Sequence, residues 1–323
     1  MRADTFPTVT MQDVEPAAPQ IPDLTVPRPV PWGGAVAHLR ASEAAHRLVP
    51  LPVANAALDL GQRLAVSRDP ARLDAARAAM AAVVGGTERE ADLEHLAFRH
   101  LCAAGRGWEL MWRPRALLAL PVEGLHHLPQ VEPGRGIVFS TPHYGPLVGL
   151  AALPCAVGTI DGAVGEHLAA ATVPAGYHGH QIEQSRRVLV QAGFRVVRAA
   201  ASARTFTRTL TDGGRVLLNF DVPGTFPVQF LGKTVELMTG TARLAAKTDS
   251  VVVPVLPRPR GRGWYVHLDE PIDPRRHDSW QSVLQATADV HSRLILAAPE
   301  HLESPLRDGG WAAATRDGWR RAH

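Results

Sequence analysis

From Ala35 to about Trp112, apolar residues recur at spacings of three and four, as in Leu73, Ala76, Met80 and Val83. That period predicts three or four helices, interrupted at Gly85-Gly86. Leu48, Val49, Leu51, Val53, Ala57 and Leu60 form an apolar cluster near the start. It is expected to pack on the core, a membrane surface being the other place for such a face. After Arg115 the pattern changes to short apolar runs bounded by turn residues. Ile137–Ser140, Phe194–Val197, Val216–Phe220 and Val251–Val255 read as strands, and Trp264–Leu268 adds another after the Arg258–Arg262 turn. Helices fit at 146–157, 179–192, 201–212 and 239–247, and a last one at about 279–297. The alternation predicts an α/β fold: a mixed, partly parallel sheet flanked by helices, preceded by a helical N-terminal region. Ligands are then expected beyond the carboxyl ends of the strands. No internal repeat is visible.

Length and composition narrow this picture. The 323 residues are 46% apolar and 20% charged, which excludes a disordered or fibrous chain and permits one large core. Residues 1–33 hold seven prolines and read as a disordered Pro-rich arm rather than a signal peptide. The expected domain is 34–303, with 34–114 helical and 115–303 the α/β core, followed by a tail at 304–323. The longest stretch without charge, Gly136 to Ile160, contains Pro142, Pro146 and Pro154, so strand, turn and buried helix are expected there and no transmembrane segment. Cys102 and Cys155 are too few and too distant for a disulfide framework or zinc site, which points to unreactive thiols and a cytoplasmic location. Lys233 and Lys247 are the only lysines, so the net charge of +3 is carried almost wholly by scattered arginines. Anionic partners are compatible with this, and nucleic acid is not demanded.

The richest segment for chemistry is Gly134-Arg-Gly-Ile-Val-Phe-Ser-Thr-Pro-His143-Tyr-Gly-Pro-Leu-Val-Gly149. It sets a histidine directly after a strand and ahead of a helix, where an imidazole can take a proton from an attacking hydroxyl or amine. A loop histidine that caps the next helix is the plain alternative.

This segment resembles the lipid A late acyltransferase family, the lauroyl and myristoyl transferases within the lysophospholipid acyltransferase-like superfamily. The family has a Gly-rich lead-in, an apolar strand, then His-X4-Asp/Glu with an aromatic-Gly pair, as in His143-Tyr144-Gly145. Further blocks are similar in order: Gly214–Asp221, Val228–Gly232, Thr239–Ala245 with Val251–Val255, and Ala298–Leu302. The resemblance spans roughly 45–302. It implies His143 as general base and backbone N–H groups near Tyr144 and Gly145 as binding groups for the substrate oxygen. Arg186 and Arg187 stand where the family has basic residues that could hold phosphate, a solvated helix face being the alternative.

The chain departs from the family at Val148, where the acidic member is expected. A literal His-X4-Glu at His127–Glu132 precedes the strand and reads as coincidence. The substitute carboxylate is expected from elsewhere in the fold, with Asp221 first, because it too ends a strand, then Glu236 and Glu166. A turn-capping role for Asp221 ahead of Val222-Pro223-Gly224 is the alternative. Asp289 with His291, and His178 with His180, lack a third ligand nearby, so no metal is assigned.

By resemblance the chain is a divergent acyltransferase. No bound cofactor is implied, and the co-substrate would be an acyl carrier protein or coenzyme A thioester. The acceptor would be a hydroxyl or amine of a small metabolite or lipid, in specialised metabolism. A tRNA-borne aminoacyl donor, or an inactive protein that binds acyl chains or a carrier, are the alternatives. Peripheral contact with the inner face of the membrane is compatible with a cytoplasmic location.

Overall fold

The computed structural model describes residues 29–31, 34–35, 41–164, 173–261 and 263–303. The arm, apart from residues 29–31, and the tail at 304–323 lie outside the described residues. So does Glu166. Pro31 is described, and its carbonyl accepts the Gly176 N–H at 3.2 Å.

The N-terminal region comprises α1 (Glu43–Leu48), α2 (Leu51–Arg68), α3 (Ala71–Val84), α4 (Leu93–Met111) and α5 (Pro114–Leu118). Ser42 caps α1 by accepting the Ala45 N–H at 3.4 Å. Gly85 ends α3 and Gly86 follows at φ 79°, so the glycine pair acts as the expected break. Met80, Val83, Val84 and Leu96 enter the main core. The apolar cluster near the start behaves otherwise than expected. Only Leu51 packs against a core cluster, while Leu48, Val49, Val53 and Leu60 are exposed and Leu64 joins them. The cause is that α2 buries no residue, so the outward stripe of α1 and α2 is left facing away from the core.

The central sheet has seven strands in the order β1 (Val122–Glu123), β9 (Gly263–Leu268), β8 (Val251–Arg260), β2 (Ile137–Thr141), β5 (Arg215–Asn219), β3 (Ile160–Val164), β4 (Phe194–Arg198). All neighbours are parallel except β8 and β9. The mixed α/β class is therefore as expected, with β1 and β3 added. β3 escapes a periodicity search because Asp161 and Gly162 interrupt it. Asp161 is nonetheless buried, held by Arg195 directly across on β4 and by the Thr209 hydroxyl at 2.5 Å.

A separate hairpin, β6 (Pro223–Phe230) and β7 (Lys233–Leu237), turns through Leu231 and Gly232 at φ 53° and 75°. Two consecutive positive φ values suit the twist of a tight hairpin.

Pleat alternation sends Phe139, Leu217, Val253 and Phe194 to one face, against Leu110 of α4, α6 (Ala152–Val157) and α7 (Gly176–Ala192). The other face sends Val138, Val216 and Val252 against α8 (Ala199–Thr211), α9 (Gly240–Thr248) and α10 (Trp280–Leu296). The single helix expected at 146–157 is a 3-10 turn over Leu147–Ala151 running into α6. Ser279 starts α10 with a capping box to Ser282.

The order of the strands creates the site. After β2 the chain crosses over the α6–α7 face to reach β3, two places away. After β5, which fills the gap between them, it crosses to the other face. The carboxyl ends of β2 and β5 are therefore adjacent, with connections leaving in opposite directions, which opens a crevice there. Among the described residues no helix is long and apolar enough to cross a membrane.

Candidate active site

Parallel pairing sets Thr141 opposite Asn219, and the Phe220 N–H continues the ladder to the Thr141 carbonyl at 2.7 Å. Two residues further along each chain, His143 and Asp221 meet. The Asp221 carboxylate accepts from His143 Nδ1 at 2.7 Å and from the His143 backbone N–H at 3.0 Å to each oxygen. A carboxylate can only accept, so the neutral imidazole carries its proton on Nδ1 and offers a lone pair at Nε2. The Asn219 side-chain amide lies 3.0 Å from that Nε2. Asp221 is almost fully buried, whereas the imidazole is 33% exposed.

Burial, the largest influence, pulls the His143 pKa down. The charge and hydrogen bond of Asp221, with the charge of Glu303, outweigh it and leave the pKa above the ordinary imidazole value. A histidine held in this way has the arrangement a base needs, with Nε2 as its accepting nitrogen and the carboxylate behind the ring to stabilise the cation.

His143 opens onto a cavity of about 580 Å³ on the α6–α7 face of the sheet. Its walls are mostly apolar: Trp108 and Met111 from α4, Ile182 and Leu189 from α7, Phe194 and Leu217 from the sheet. Asn219, Gln181, His178 and Glu303 are among its polar members. A second hollow of about 520 Å³, between α1, α2 and α4, shares no described wall residue with it.

Several expected site residues lie elsewhere. Tyr144 is fully buried, and its hydroxyl donates to the Ala298 carbonyl at 2.8 Å, so its side chain supports the core rather than a substrate. Gly145 lines the cavity, but its N–H donates to the His301 carbonyl at 2.6 Å and cannot serve as the expected oxyanion donor. Both follow from an antiparallel bridge of Tyr144 with Leu302, which also draws the Glu303 N–H to the His143 carbonyl at 2.8 Å. Glycine is required at 145: φ is 59°, and a Cβ would stand 2.8 Å from the Trp264 ring.

Arg186 and Arg187 are on α7 but do not line the cavity. Arg186 is buried against Glu183, with Nε to Oε2 at 3.1 Å, and Arg187 is turned to Glu43 and Gln184. Glu236 sits opposite Pro227 in the hairpin, outside the cavity. Val148 is a wall residue in the 3-10 turn. His127 and Glu132 lie away from the crevice, and Glu132 pairs with Arg275 at 2.8 Å. Asp289 accepts from Gln285, and among the described residues no group of three or more His, Cys, Asp or Glu could hold a metal ion.

Asn219 and Glu303 are the members that sequence reasoning passed over. Asn219 had a signal, since a polar residue closing an apolar strand, two before Asp221, shares its face. Glu303 had none, because it comes from the far end of the domain.

No protein-family model matches this sequence, and no curated protein matches it. Among solved structures it is similar to the 1-acyl-sn-glycerophosphate (LPA) acyltransferase PlsC from Thermotoga maritima. That match has 16% identity over 79% of this chain and 100% of that one, with a TM-score of 0.38. At that level of likeness the chemistry has to be read from this chain's own residues.

Proposed function

We propose that this chain is an acyltransferase that moves an acyl group from a coenzyme A or acyl carrier protein thioester to a hydroxyl or amine of a small metabolite or lipid. The observation that carries the reading is the His143–Asp221 pair at the edge of a largely apolar cavity of about 580 Å³. Such a cavity suits an acyl chain, and the pair suits proton removal from a nucleophile next to it.

In this reading Nε2 of His143 takes the proton of the acceptor as the acceptor attacks the thioester carbonyl. Asp221 holds the ring by Nδ1 and stabilises the imidazolium, which then returns the proton to the leaving thiolate. Asn219 occupies Nε2 until the acceptor arrives. No acyl-enzyme is needed. The intact pair counts against an inactive binding protein. The exposed Leu48, Val53, Leu60 and Leu64 are compatible with peripheral contact at a membrane surface.

The test is thioester consumption by the purified protein, with intact-mass detection of an acylated product, across acyl-CoA and acyl carrier protein donors and a panel of acceptors. Acceptor-dependent thiol release that disappears in His143→Ala is the expected result. Release unaffected by His143→Ala would overturn the assignment of the base.

A further inference from the structure

Asn219 closes β5 on the cavity side of the sheet. It follows Leu217 by two residues, so the pleat gives both side chains to the same face, and both line the cavity. The pairing of Thr141 with Asn219 sets the side-chain amide beside the imidazole, 3.0 Å from Nε2. Asp221 holds the proton on Nδ1, so in the neutral ring Nε2 can only accept. The group that meets it is then the amide nitrogen, Nδ2, which carries two N–H donors.

Backbone donors around the imidazole are committed to the fold. The N–H of His143 goes to Asp221, that of Gly145 to the His301 carbonyl at 2.6 Å, and that of Leu147 to the Gly145 carbonyl at 2.8 Å. The N–H of Phe220 goes to the Thr141 carbonyl at 2.7 Å, and Pro146 has none. Lending one of these to a substrate would undo the turn or the strand end that positions His143. The Asn219 amide is bonded instead to the base itself. An acceptor seated at Nε2 takes the place of that bond and leaves the amide about 3 Å away, beside the carbonyl to be attacked.

We infer that Asn219 is a further catalytic residue: displaced from Nε2 by the acceptor, its amide donates to the carbonyl oxygen of the acyl donor and stabilises the negative charge that gathers there. The inference rests on the transferase reading. The acceptor's lone pair forms a bond to the thioester carbonyl carbon, the π pair of the C=O bond moves onto oxygen, where Asn219 meets it, and Nε2 takes the acceptor's proton. The oxygen's pair then restores the C=O bond, the C–S bond breaks, and the proton passes from Nε2 to the departing thiolate.

The experiment uses dodecanoyl pantetheine, the thioester shared by coenzyme A and carrier-protein donors, isotopically labelled at its carbonyl carbon. It is bound to the full-length protein and to the Asn219→Leu and Asn219→Ala variants, the first of which keeps the volume and removes the donor. Calorimetry measures binding, infrared difference spectra read the carbonyl stretch, and thiol release gives kcat and KM. A donor on the oxygen weakens the C=O bond, so the stretch is expected at lower frequency in the native protein than in either variant. Both variants are expected to lose about 10²–10³-fold in kcat, with the thioester KM within about threefold of native. A stretch that is the same in native and variant proteins overturns the inference, even where kcat falls, because Asn219 would then act only through His143. So does a raised KM with kcat unchanged. If the thioester is neither bound nor consumed by the native protein, the transferase reading fails and the inference falls with it, whereas a bound and consumed thioester with an unmoved stretch overturns the role of Asn219 alone.

Discussion

Each side of the central sheet carries a histidine close enough to feel the charge of Asp221, and the two are opposite in character. His143, at the crevice above the hollow side, is partly exposed and bonded directly to the carboxylate, and its pKa is raised. His291, on α10 against the filled side, is fully buried, with Nε2 3.1 Å from the Ser140 hydroxyl and its ring 5.0 Å from that of Phe220. Burial is the dominant influence there, and it pushes the His291 pKa down to about 4 despite Asp221. A nearby carboxylate therefore does not by itself make a base. A direct bond to it, together with a partly exposed ring at the edge of a cavity, distinguishes a histidine suited to chemistry from one that packs.

The comparison breaks most easily at His143. His143→Ala is expected to lower turnover by about 10²–10⁴-fold, with a melting temperature close to native, as measured by thiol release and thermal denaturation. His291→Ala should do the reverse. It empties part of a filled core and strands the Ser140 hydroxyl, for a loss of about 2–4 kcal/mol in denaturant unfolding, while activity per folded molecule changes only a few-fold. A folded but inactive His291→Ala protein would show that the two sides are not separate.

His291 also predicts an acid sensitivity. Its folded pKa of about 4 is below the unfolded value of about 6.5. The unfolded chain therefore binds the proton first, and stability should fall as pH drops through that window. His301, buried and lowered to about 3, extends the same trend. A stability profile that is flat between pH 6.5 and 4 in the native protein would contradict this.

Asp221→Asn sharpens the contrast at smaller amplitude. Activity is expected to fall about 10–100-fold. On the proposed mechanism His143 acts in its neutral form, so the acid limb of kcat/KM is expected above the ordinary imidazole value in the native protein and should move to lower pH in Asp221→Asn. An unmoved limb would mean that Asp221 is structural only. Smallest of all, His127→Ala and Glu132→Ala should each leave activity within about twofold and the melting temperature nearly unchanged, since an exposed ion pair such as Glu132–Arg275 contributes little.

Much of the sheet was legible along the chain. The runs at 137–140, 194–197, 216–220, 251–255 and 264–268 all fall on strands, the third stopping one residue early at Asn219, and the helices between them fall within a few residues of their expected places, because burial on one or both sides imposes a period that a linear pattern records. β3 was hidden by a buried Asp161 whose partners, Arg195 and Thr209, are distant in sequence. The exposed α1–α2 stripe was misjudged because an apolar period says that a face exists, and only the packing of α2 says whether anything covers it.

At the site the division is the same. His143 after a strand, and Asp221 at the end of another, were readable as residues that could act, since residue type and the end of an apolar run are local properties. That they meet was decided by strand order: β5 lies between β2 and β3, in a register that puts Thr141 beside Asn219. The burial of Tyr144, the turning away of Arg186, the capture of the Gly145 N–H and the arrival of Glu303 depend on a bridge to residues 301–303 and on how α7 faces the sheet. The sequence by itself determined which side chains were available for chemistry. The tertiary structure decided which were brought together and which were consumed in packing, because in a parallel sheet neighbours are chosen by long crossovers whose order no local pattern encodes.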